Sequence, residues 1–186
     1  MHRRHPARRH PALSFALAQG AGSSPMRHPR VTLRRLGAGD AGLWRSLRQE
    51  VWALHPEAFG ESHDALAGWP LPAFAAQLER DFVLVACIGE EIAGCAALDP
   101  ECAVIEAVYV RADHRGKGIA WRLLSGLLSV ARRRGVCRLT LSVAEGNAPA
   151  RALYTRAGFR ATGACVPRAL TRDGRFLDLV EMDRAL

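Results

Sequence analysis

A strand-to-helix junction in the middle of the chain limits most strongly how this sequence can fold. The apolar run "CAVIEAVYV" predicts a strand that ends at Val110. The polar stretch "RADHRGKG" follows it, and the next segment, 119–134, has apolar residues at helical spacing and is ended by Gly135. A short turn with two glycines must therefore lead from a buried strand directly into a helix.

The rest of the chain surrounds this junction with further strands and helices. Alternating or apolar runs predict strands at 31–36, in "FVLVACI", "IAGCAAL" and "CRLTLSV", from Phe159 onward, and in "RFLDLVEMD". Helical spacing predicts helices from about Asp40, over 72–80 and in "NAPARALYTRAG". The order is β, α, α, β, β, β, α, β, α, β, β, which predicts an α/β (mixed α+β) fold with a mixed sheet and helices on both faces.

Length and charge predict one domain behind a basic extension. The chain has 186 residues, which suits a single core, and no stretch reaches the ~20 apolar residues of a membrane span. Residues 1–36 hold eight arginines and no acid, so the other 18 basic residues equal the 18 acidic ones. We expect residues 1–29 to be a disordered extension and 30–186 to be the domain, with no specific nucleic-acid partner.

Cysteine and histidine usage predicts neither disulfides nor a metal site. The five cysteines lack CxxC spacing and lie in or beside apolar strand-like runs. Four of the seven histidines lie within the first 28 residues. We expect buried free thiols in a reducing, cytoplasmic location.

The glycine-rich turn has the composition of an anion site. The first N–H groups of a helix lack internal partners and carry the positive end of its dipole, glycines allow close approach, and Arg115 and Lys117 add charge. Together these predict a cradle for a phosphate or pyrophosphate. The Walker A pattern requires a glycine where this chain has Arg111, and a serine or threonine where it has Gly118. The dinucleotide fingerprint requires its third glycine where this chain has Trp121. A glycine turn with solvated charges remains the alternative.

A second segment gives the junction a family context. "LTLSVAEGNAPARALYTRAGFRATG" has an asparagine, a tyrosine seven residues later and then a Gly-Phe pair. With the turn, it resembles the GNAT superfamily of N-acetyltransferases, whose two motifs are matched by Arg115, Gly118 and Ala120 and by Asn147, Ala152, Leu153, Tyr154, Gly158 and Phe159. The resemblance covers about 31–186 in element order, with its specific motifs in 104–160, and implies a single GNAT-like domain with a splayed central sheet.

The resemblance implies acetyl-CoA as the donor and direct transfer to a primary amine in a ternary complex. Main-chain N–H groups of the turn would hold the pyrophosphate, from Arg115 through Gly116, Lys117, Gly118 and Ile119 to Ala120. The strand edge at Val108 and Val110 would pair with the pantetheine arm, and the N–H of Val108 would polarise the thioester carbonyl. Asn147 matches a contact to the arm, and it is alternatively the N-cap of the next helix.

Tyr154 matches the general acid of the family, and the alternative is a core aromatic. For the base we consider Glu106, because strand alternation places it with Val104, Val108 and Val110, where desolvation would raise its pKa. It is alternatively a buried acid paired with an arginine, or a group that orients substrate. Glu101 is a second candidate unless it is a turn residue after Pro100. Members that acetylate ribosomal-protein N-termini often have a glutamate where this chain has Ser142.

The resemblance places the acceptor between "HPEAFGES" and the "TRDG" hairpin. Glu57, Glu61 and Asp64 could attract an amine, and Phe59 and Trp69 could line its pocket, and the alternative for each is a surface or packing residue. We expect a small molecule rather than a protein as acceptor, no membrane partner, and an assembly compatible with a homodimer. A non-catalytic acyl-CoA-binding module on the same fold is the alternative function.

Overall fold

The computed structural model describes residues 30–55, 68–164, 169–170 and 176–186. Its helices are α1 (Ala41–Leu54), α2 (Leu71–Arg80), α3 (Ile119–Arg133) and α4 (Ala148–Arg156). Its strands are β1 (Val31–Arg35), β2 (Phe82–Ile88), β3 (Glu91–Asp99), β4 (Val104–Val110), β5 (Arg138–Ala144), β6 (Arg160–Ala161), β7 (Ala169–Leu170), β8 (Phe176–Leu177) and β9 (Leu179–Ala185). Short 3₁₀ turns at Ala38–Asp40 and Ala112–His114 precede α1 and α3.

Seven strands form one mixed sheet, as the sequence predicts. Their order is β1-β2-β3-β4-β5-β9-β6, and β7 and β8 form a separate two-stranded sheet. Neighbours are antiparallel except β4 and β5, which run parallel and pair at a single position, Val104 with Thr140. The predicted last strand, "RFLDLVEMD", is wrong as one element, because Asp178 separates β8 from β9 and the two belong to different sheets.

Helices cover both faces of the sheet. The larger core contains α3 side chains such as Leu123 and Leu127 together with Tyr154 of α4, so α3 and α4 share one face. The smaller core joins Trp44 of α1 and Phe74 of α2 to the opposite face. Within the described ranges, no helix is long and apolar enough to cross a membrane.

A β-bulge in β4 changes which face each of its side chains meets. Ala97 of β3 pairs with Glu106 and Cys95 pairs with Tyr109, so β4 has one residue more than β3 over this stretch. Ala107 takes up the extra length in the left-handed region, with φ of 54°.

The bulge makes one sequence prediction wrong. Ile105, Val108 and Val110 all belong to the α3–α4 face, whereas Glu106 contacts Gln77 of α2 on the opposite face. Strict alternation would have placed Glu106 with Val108 and Val110. The inserted residue reverses the alternation, so Glu106 shares its face with Tyr109 instead.

Candidate active site

The loop between β4 and α3 has the backbone geometry of an anion cradle. Gly116 and Gly118 both have φ of 74°, which side chains with a Cβ rarely adopt. Gly118 is the N-cap of α3 and has no side chain with which to cap the first N–H groups of that helix. Apart from the adjoining backbone, no atom of the described residues lies within 4 Å of the point where a Cβ would stand on either glycine. The loop therefore presents unprotected amides to open space.

The two cationic side chains of this loop are turned back onto the protein. Arg115 donates from Nε to the carbonyl oxygen of Val110 at 3.0 Å, and one of its terminal nitrogens lies 3.0 Å from Nε2 of His55. Lys117 donates from Nζ to the carbonyl oxygen of Asp113 at 2.8 Å. Both side chains brace the loop, so the groups that it leaves open to a ligand are those of the main chain.

The edge of β4 faces an opening in the sheet. Strands β4 and β5 are joined beside Val104, where the N–H of Thr140 donates to the carbonyl of Ala103 at 2.9 Å. Just after the other end of β4, the N–H of Arg111 donates to the carbonyl oxygen of Ala93 in β3 at 2.9 Å. Since successive N–H groups of a strand point to opposite sides, those of Val108 and Val110 point away from β3, towards the gap beside β5.

Tyr154 lies on the same face as Val108 and Val110. Its side chain is buried, and its ring stands edge-on to that of Phe159 with 6.1 Å between the centroids. Burial raises the pKa of Tyr154 to about 12, so its hydroxyl is neutral and available as a donor at neutral pH.

Asn147 caps α4. Its side-chain oxygen accepts from the N–H of Ala150 at 3.2 Å, so the N-cap interpretation of this residue is confirmed. The side chain is exposed and lies between β5 and α4, on the side of the sheet where β5 ends.

Glu106 lies in a polar cluster between β4 and the first two helices. Its Oε1 accepts from Nε2 of Gln77 at 3.5 Å, and the Oε1 of that amide accepts from Nε1 of Trp44 at 2.9 Å. Burial raises the pKa of Glu106, and the positive charge of Arg48 opposes this rise. The expected direction is found, although Glu106 contacts Gln77 of α2 instead of sharing the face of Val108 and Val110.

The other carboxylates differ in what they can contribute. Glu101 is an exposed turn residue whose N–H donates to Oδ1 of Asp99 at 2.9 Å, which fits its turn interpretation. Ser142 pairs with Glu181 across β5 and β9, so these two side chains share a face. Leu141 and Val143 point to the α3–α4 face, so Ser142 between them points to the opposite face, which is the face of Glu106. Glu181, which pairs with Ser142, lies on that same face. The hydroxyl of Thr162 donates to Glu181 at 3.0 Å.

The sequence reasoning missed Arg48, Gln77 and Glu181. For Arg48 a signal was present, because it stands four residues from both Trp44 and Trp52 and therefore in the apolar stripe of α1. Glu181 could not be found, because only strand pairing brings it next to Ser142.

The predicted acceptor residues lie mostly outside the described residues. Glu57, Phe59, Glu61 and Asp64 belong to this group, as does "TRDG" at 171–174. Trp69 is described and packs against Phe74 with 6.0 Å between the ring centroids. In the described ranges, no three His, Cys, Asp or Glu side chains are grouped so that they could hold a metal ion.

Known proteins resemble this chain in sequence and in fold. The model of the acetyltransferase (GNAT) family matches residues 44–159. An L-methionine sulfoximine/L-methionine sulfone acetyltransferase of Pseudomonas aeruginosa is 39% identical over 79 residues, which are 42% of this chain and 45% of that protein. The L-amino acid N-acyltransferase MnaT of Escherichia coli is 37% identical over 83 residues, 45% of this chain and 48% of that protein. The matched part thus spans less than half of either relative.

A solved structure is similar over most of the fold. It is yncA of Salmonella typhimurium, described as a putative acetyltransferase with its cofactor acetyl-CoA, and it has a TM-score of 0.66 and 27% identity over 84% of this chain and 94% of that one. The family match covers more than half of this chain and includes the loop, the β4 edge and Tyr154. The chain therefore belongs to the GNAT acetyltransferase family.

Proposed function

We propose that this protein is an N-acetyltransferase that moves an acetyl group from acetyl-CoA to a primary amine, directly and in a ternary complex. The observation that carries the proposal is the edge of β4, where the N–H groups of Val108 and Val110 face the gap beside β5. An extended ligand can add to such an edge as a further strand. The cradle at the top of α3 stands at the end of this edge, as a pyrophosphate joined to a pantetheine arm requires.

The residues present fit this co-substrate, which supplies an activated acetyl thioester when bound. Main-chain N–H groups from Gly116 to Ala120 would hold the phosphates, because the N–H of Arg115 is already donated to the carbonyl oxygen of Ala112 at 3.2 Å. The two glycines leave that approach free of side chains. Asn147 is exposed near the end of β5 and could donate its amide to the arm while its oxygen keeps capping α4. The N–H of Val108 would donate to the carbonyl oxygen on which negative charge develops.

Tyr154 would stabilise the departing thiolate. A phenol with a pKa of about 12 holds its proton more tightly than a thiol, whose pKa is about 8.5. Full transfer of the phenolic proton is therefore uphill, and Tyr154 acts best as a hydrogen-bond donor to the sulfur. The proton that the thiolate finally keeps can come from the acceptor nitrogen, which loses two protons when an ammonium group becomes an amide.

Glu106 would remove the first of these protons. An ammonium group must lose a proton before its nitrogen can attack, and a carboxylate with a raised pKa is a suitable acceptor near neutral pH. Glu181 lies on the same face and could help to attract the ammonium group. Because the two curated relatives are named for amino-acid acceptors, we propose a free amino acid or a similarly small amine as acceptor.

The test is CoA release from acetyl-CoA by the full chain with a panel of amines. The panel would contain free L-amino acids, polyamines, an aminoglycoside and peptides with free N-termini. We expect release well above background hydrolysis with at least one small amine, and the acetylated product by mass spectrometry. Tight acetyl-CoA binding without turnover on any amine would instead favour a non-catalytic acyl-CoA-binding module.

We also propose that residues 30–186 are the functional unit and act in the cytoplasm without a nucleic-acid partner. The family match lies within this range, and Cys87, Cys95, Cys102 and Cys137 are free thiols. Deleting residues 1–29 should leave acetyl-CoA affinity unchanged in calorimetry. Salt-dependent DNA binding that survives this deletion would contradict the proposal.

A further inference from the structure

A cleft lies between α3, the end of α4 and β9. Its volume of about 360 Å³ falls within the range of about 300–1,000 Å³ that is typical of small-ligand pockets. Trp121 lines it in the first turn of α3, and Arg132 lines it in the last turn. At a rise of about 1.5 Å per residue, Arg132 lies roughly 20 Å along the helix from Gly118. The cleft therefore extends well beyond the loop Arg115–Ala120.

Three arginines line this cleft, one from each of the elements that form it: Arg132 of α3, Arg156 of α4 and Arg184 of β9. Met182 belongs to the α3–α4 core, so Arg184, two residues later in the same strand, points to that face as well. Asp183 between them points to the other face, where it forms an ion pair with Arg138. The alternation of β9 thus turns its cation into the cleft and its acid away from it.

Two of the three guanidinium groups are held in place by the protein. The guanidinium carbon of Arg156 lies 4.7 Å from the ring centre of Trp121. Arg184 donates to the carbonyl oxygen of Ala157, the C-cap residue of α4. Side chains that are already ordered lose less conformational entropy when a ligand binds, so these two cations are prepared to hold an anion.

The positive charge of the cleft is not balanced by the described part of the chain. No acidic side chain of these residues lines the cleft, and none forms an ion pair with any of the three arginines. Two helices end here, and each helix C-terminus carries only about half a negative charge, so three cations leave a surplus of about two positive charges. Burial and the charge of Arg132 both lower the pKa of Arg184, as expected for neighbouring cations.

We propose that this cleft binds a small phosphorylated anion, which Arg132, Arg156 and Arg184 hold at a site separate from the loop Arg115–Ala120. The forked donors of a guanidinium group can bond two phosphate oxygens at once. The hydroxyl of Ser125 also lines the cleft and can donate to a further oxygen. A phosphate monoester carries about −1.5 to −2 charge at pH 7, which matches the surplus of the cleft. The site is additional to the proposed acetyl transfer and does not depend on it.

The test is a calorimetric titration of the full chain with inorganic pyrophosphate, in the presence of saturating CoA to occupy the loop. We expect about one equivalent to bind. Arg132→Gln and Arg156→Gln should each weaken binding roughly fivefold or more, because each removes charge-assisted hydrogen bonds to the anion. Arg133→Gln is the matched control, since Arg133 is exposed and next to Arg132 but does not line the cleft, and it should change the Kd by less than about twofold.

Three results would overturn the proposal. Pyrophosphate that does not bind the CoA-saturated protein would mean that the cleft has no anion site of its own. Equal weakening by Arg133→Gln would mean that net charge attracts the anion and not the cleft. Displacement of pyrophosphate by a short DNA duplex would assign the arginines to a nucleic-acid backbone instead of a small anion.

The same titration distinguishes this proposal from the proposed function. If the protein binds no CoA, pyrophosphate is titrated without it, and the difference between Arg132→Gln and Arg133→Gln still tests the cleft. Because both positions are exposed on α3, neither substitution removes a packed side chain. A failure of CoA binding therefore concerns only the acetyltransferase, and equal affinities in these two variants concern only the cleft.

Discussion

The two ends of the candidate site are built from different parts of the polypeptide. The loop proposed to hold the phosphates, Arg115–Ala120, is open, and the groups that it offers to a ligand are main-chain amides beside two left-handed glycines. The buried cluster consists of Trp44, Arg48 and Gln77 with the half-buried Glu106, and its side chains are joined by ring contacts and hydrogen bonds. We therefore expect the function of the loop to depend on its backbone conformation, and that of the buried cluster to depend on the identity of its side chains.

The largest expected effect tests whether a buried side chain outside the loop acts on turnover and not on binding. Tyr154→Phe removes one hydroxyl from the buried face beside Val108 and should lower kcat by about 100-fold or more, because the departing sulfur loses a donor. The Kd of acetyl-CoA, measured by calorimetry, should stay the same. Steady-state kinetics at saturating co-substrate gives the kcat.

The chain contains two tyrosines, so a matched control exists. Tyr109 lies on the opposite face of β4, where its hydroxyl forms a hydrogen bond with Glu50. Tyr109→Phe removes this hydroxyl and should leave kcat close to that of the wild type. Equal losses in both variants would mean that Tyr154 contributes through packing alone.

The next effect tests the backbone half. Gly118→Val forces a β-branched residue into φ of 74°, at a cost of about 1–3 kcal/mol, so acetyl-CoA should bind roughly 10- to 100-fold more weakly. The turnover of the bound co-substrate should change much less, because Val108 and Tyr154 are untouched. Calorimetry and kcat at saturation separate the two quantities.

Gly163→Val is the control for general backbone strain, because Gly163 also has positive φ, 72°, but lies outside the loop. It should leave the affinity for acetyl-CoA unaltered. A loss of affinity equal to that of Gly118→Val would show that strain anywhere in the domain weakens binding.

A smaller effect concerns the link between the two ends. Arg111 follows β4 and holds Glu50 of α1 through two hydrogen bonds, of 2.8 and 2.6 Å, which lower the pKa of Glu50 below its usual 4.5. A lowered pKa contributes stability above the unfolded-state value, and this is lost as the pH falls through the folded-state value. Glu50→Gln should therefore lower Tm near neutral pH. The corresponding loss in the free energy of unfolding should be no more than about 1 kcal/mol, because both groups are partly exposed.

The pH profile of this difference is the decisive measurement. The gap in Tm between wild type and Glu50→Gln should close below the folded-state pKa of Glu50. Glu79→Gln, on the exposed side of α2, is the control for the general effect on Tm of replacing a surface glutamate. A gap that stays constant with pH would mean that Glu50 acts through packing and not through its charge.

The loop could be predicted from sequence because its signals are local. The glycines, the end of the strand at Val110 and the start of α3 are neighbours in the chain, and α3 ends at Arg133, one residue before its predicted end. Asn147 and Tyr154 were found through the resemblance of one short segment to the family motif, which is also a local signal. Main-chain chemistry at a helix N-terminus needs no information about distant residues.

The interior could not be predicted, because it depends on an inserted residue and on distant contacts. Nothing in "VIEAVYV" marks Ala107 as a bulge, and without the bulge Glu106 falls on the wrong face. Gln77 and Trp44 meet Glu106 only after α1 and α2 have packed on the sheet. The expectation that Glu106 is desolvated was sound, but its neighbours had to come from tertiary structure.

The smallest expected effect sharpens the comparison at the loop itself. Lys117 is exposed and donates to the carbonyl of Asp113, so its charge is not directed at the amides of Gly118 and Ile119. Lys117→Ala should therefore change the Kd of acetyl-CoA by less than about threefold, since a loosely held surface charge contributes well under 1 kcal/mol. Lys117→Glu should weaken binding more, and added salt should reduce that loss, because a new anion repels the phosphates through solvent. If Lys117→Ala were instead as damaging as Gly118→Val, the side chain and not the main chain would hold the pyrophosphate, and the contrast between the open loop and the buried cluster would no longer stand.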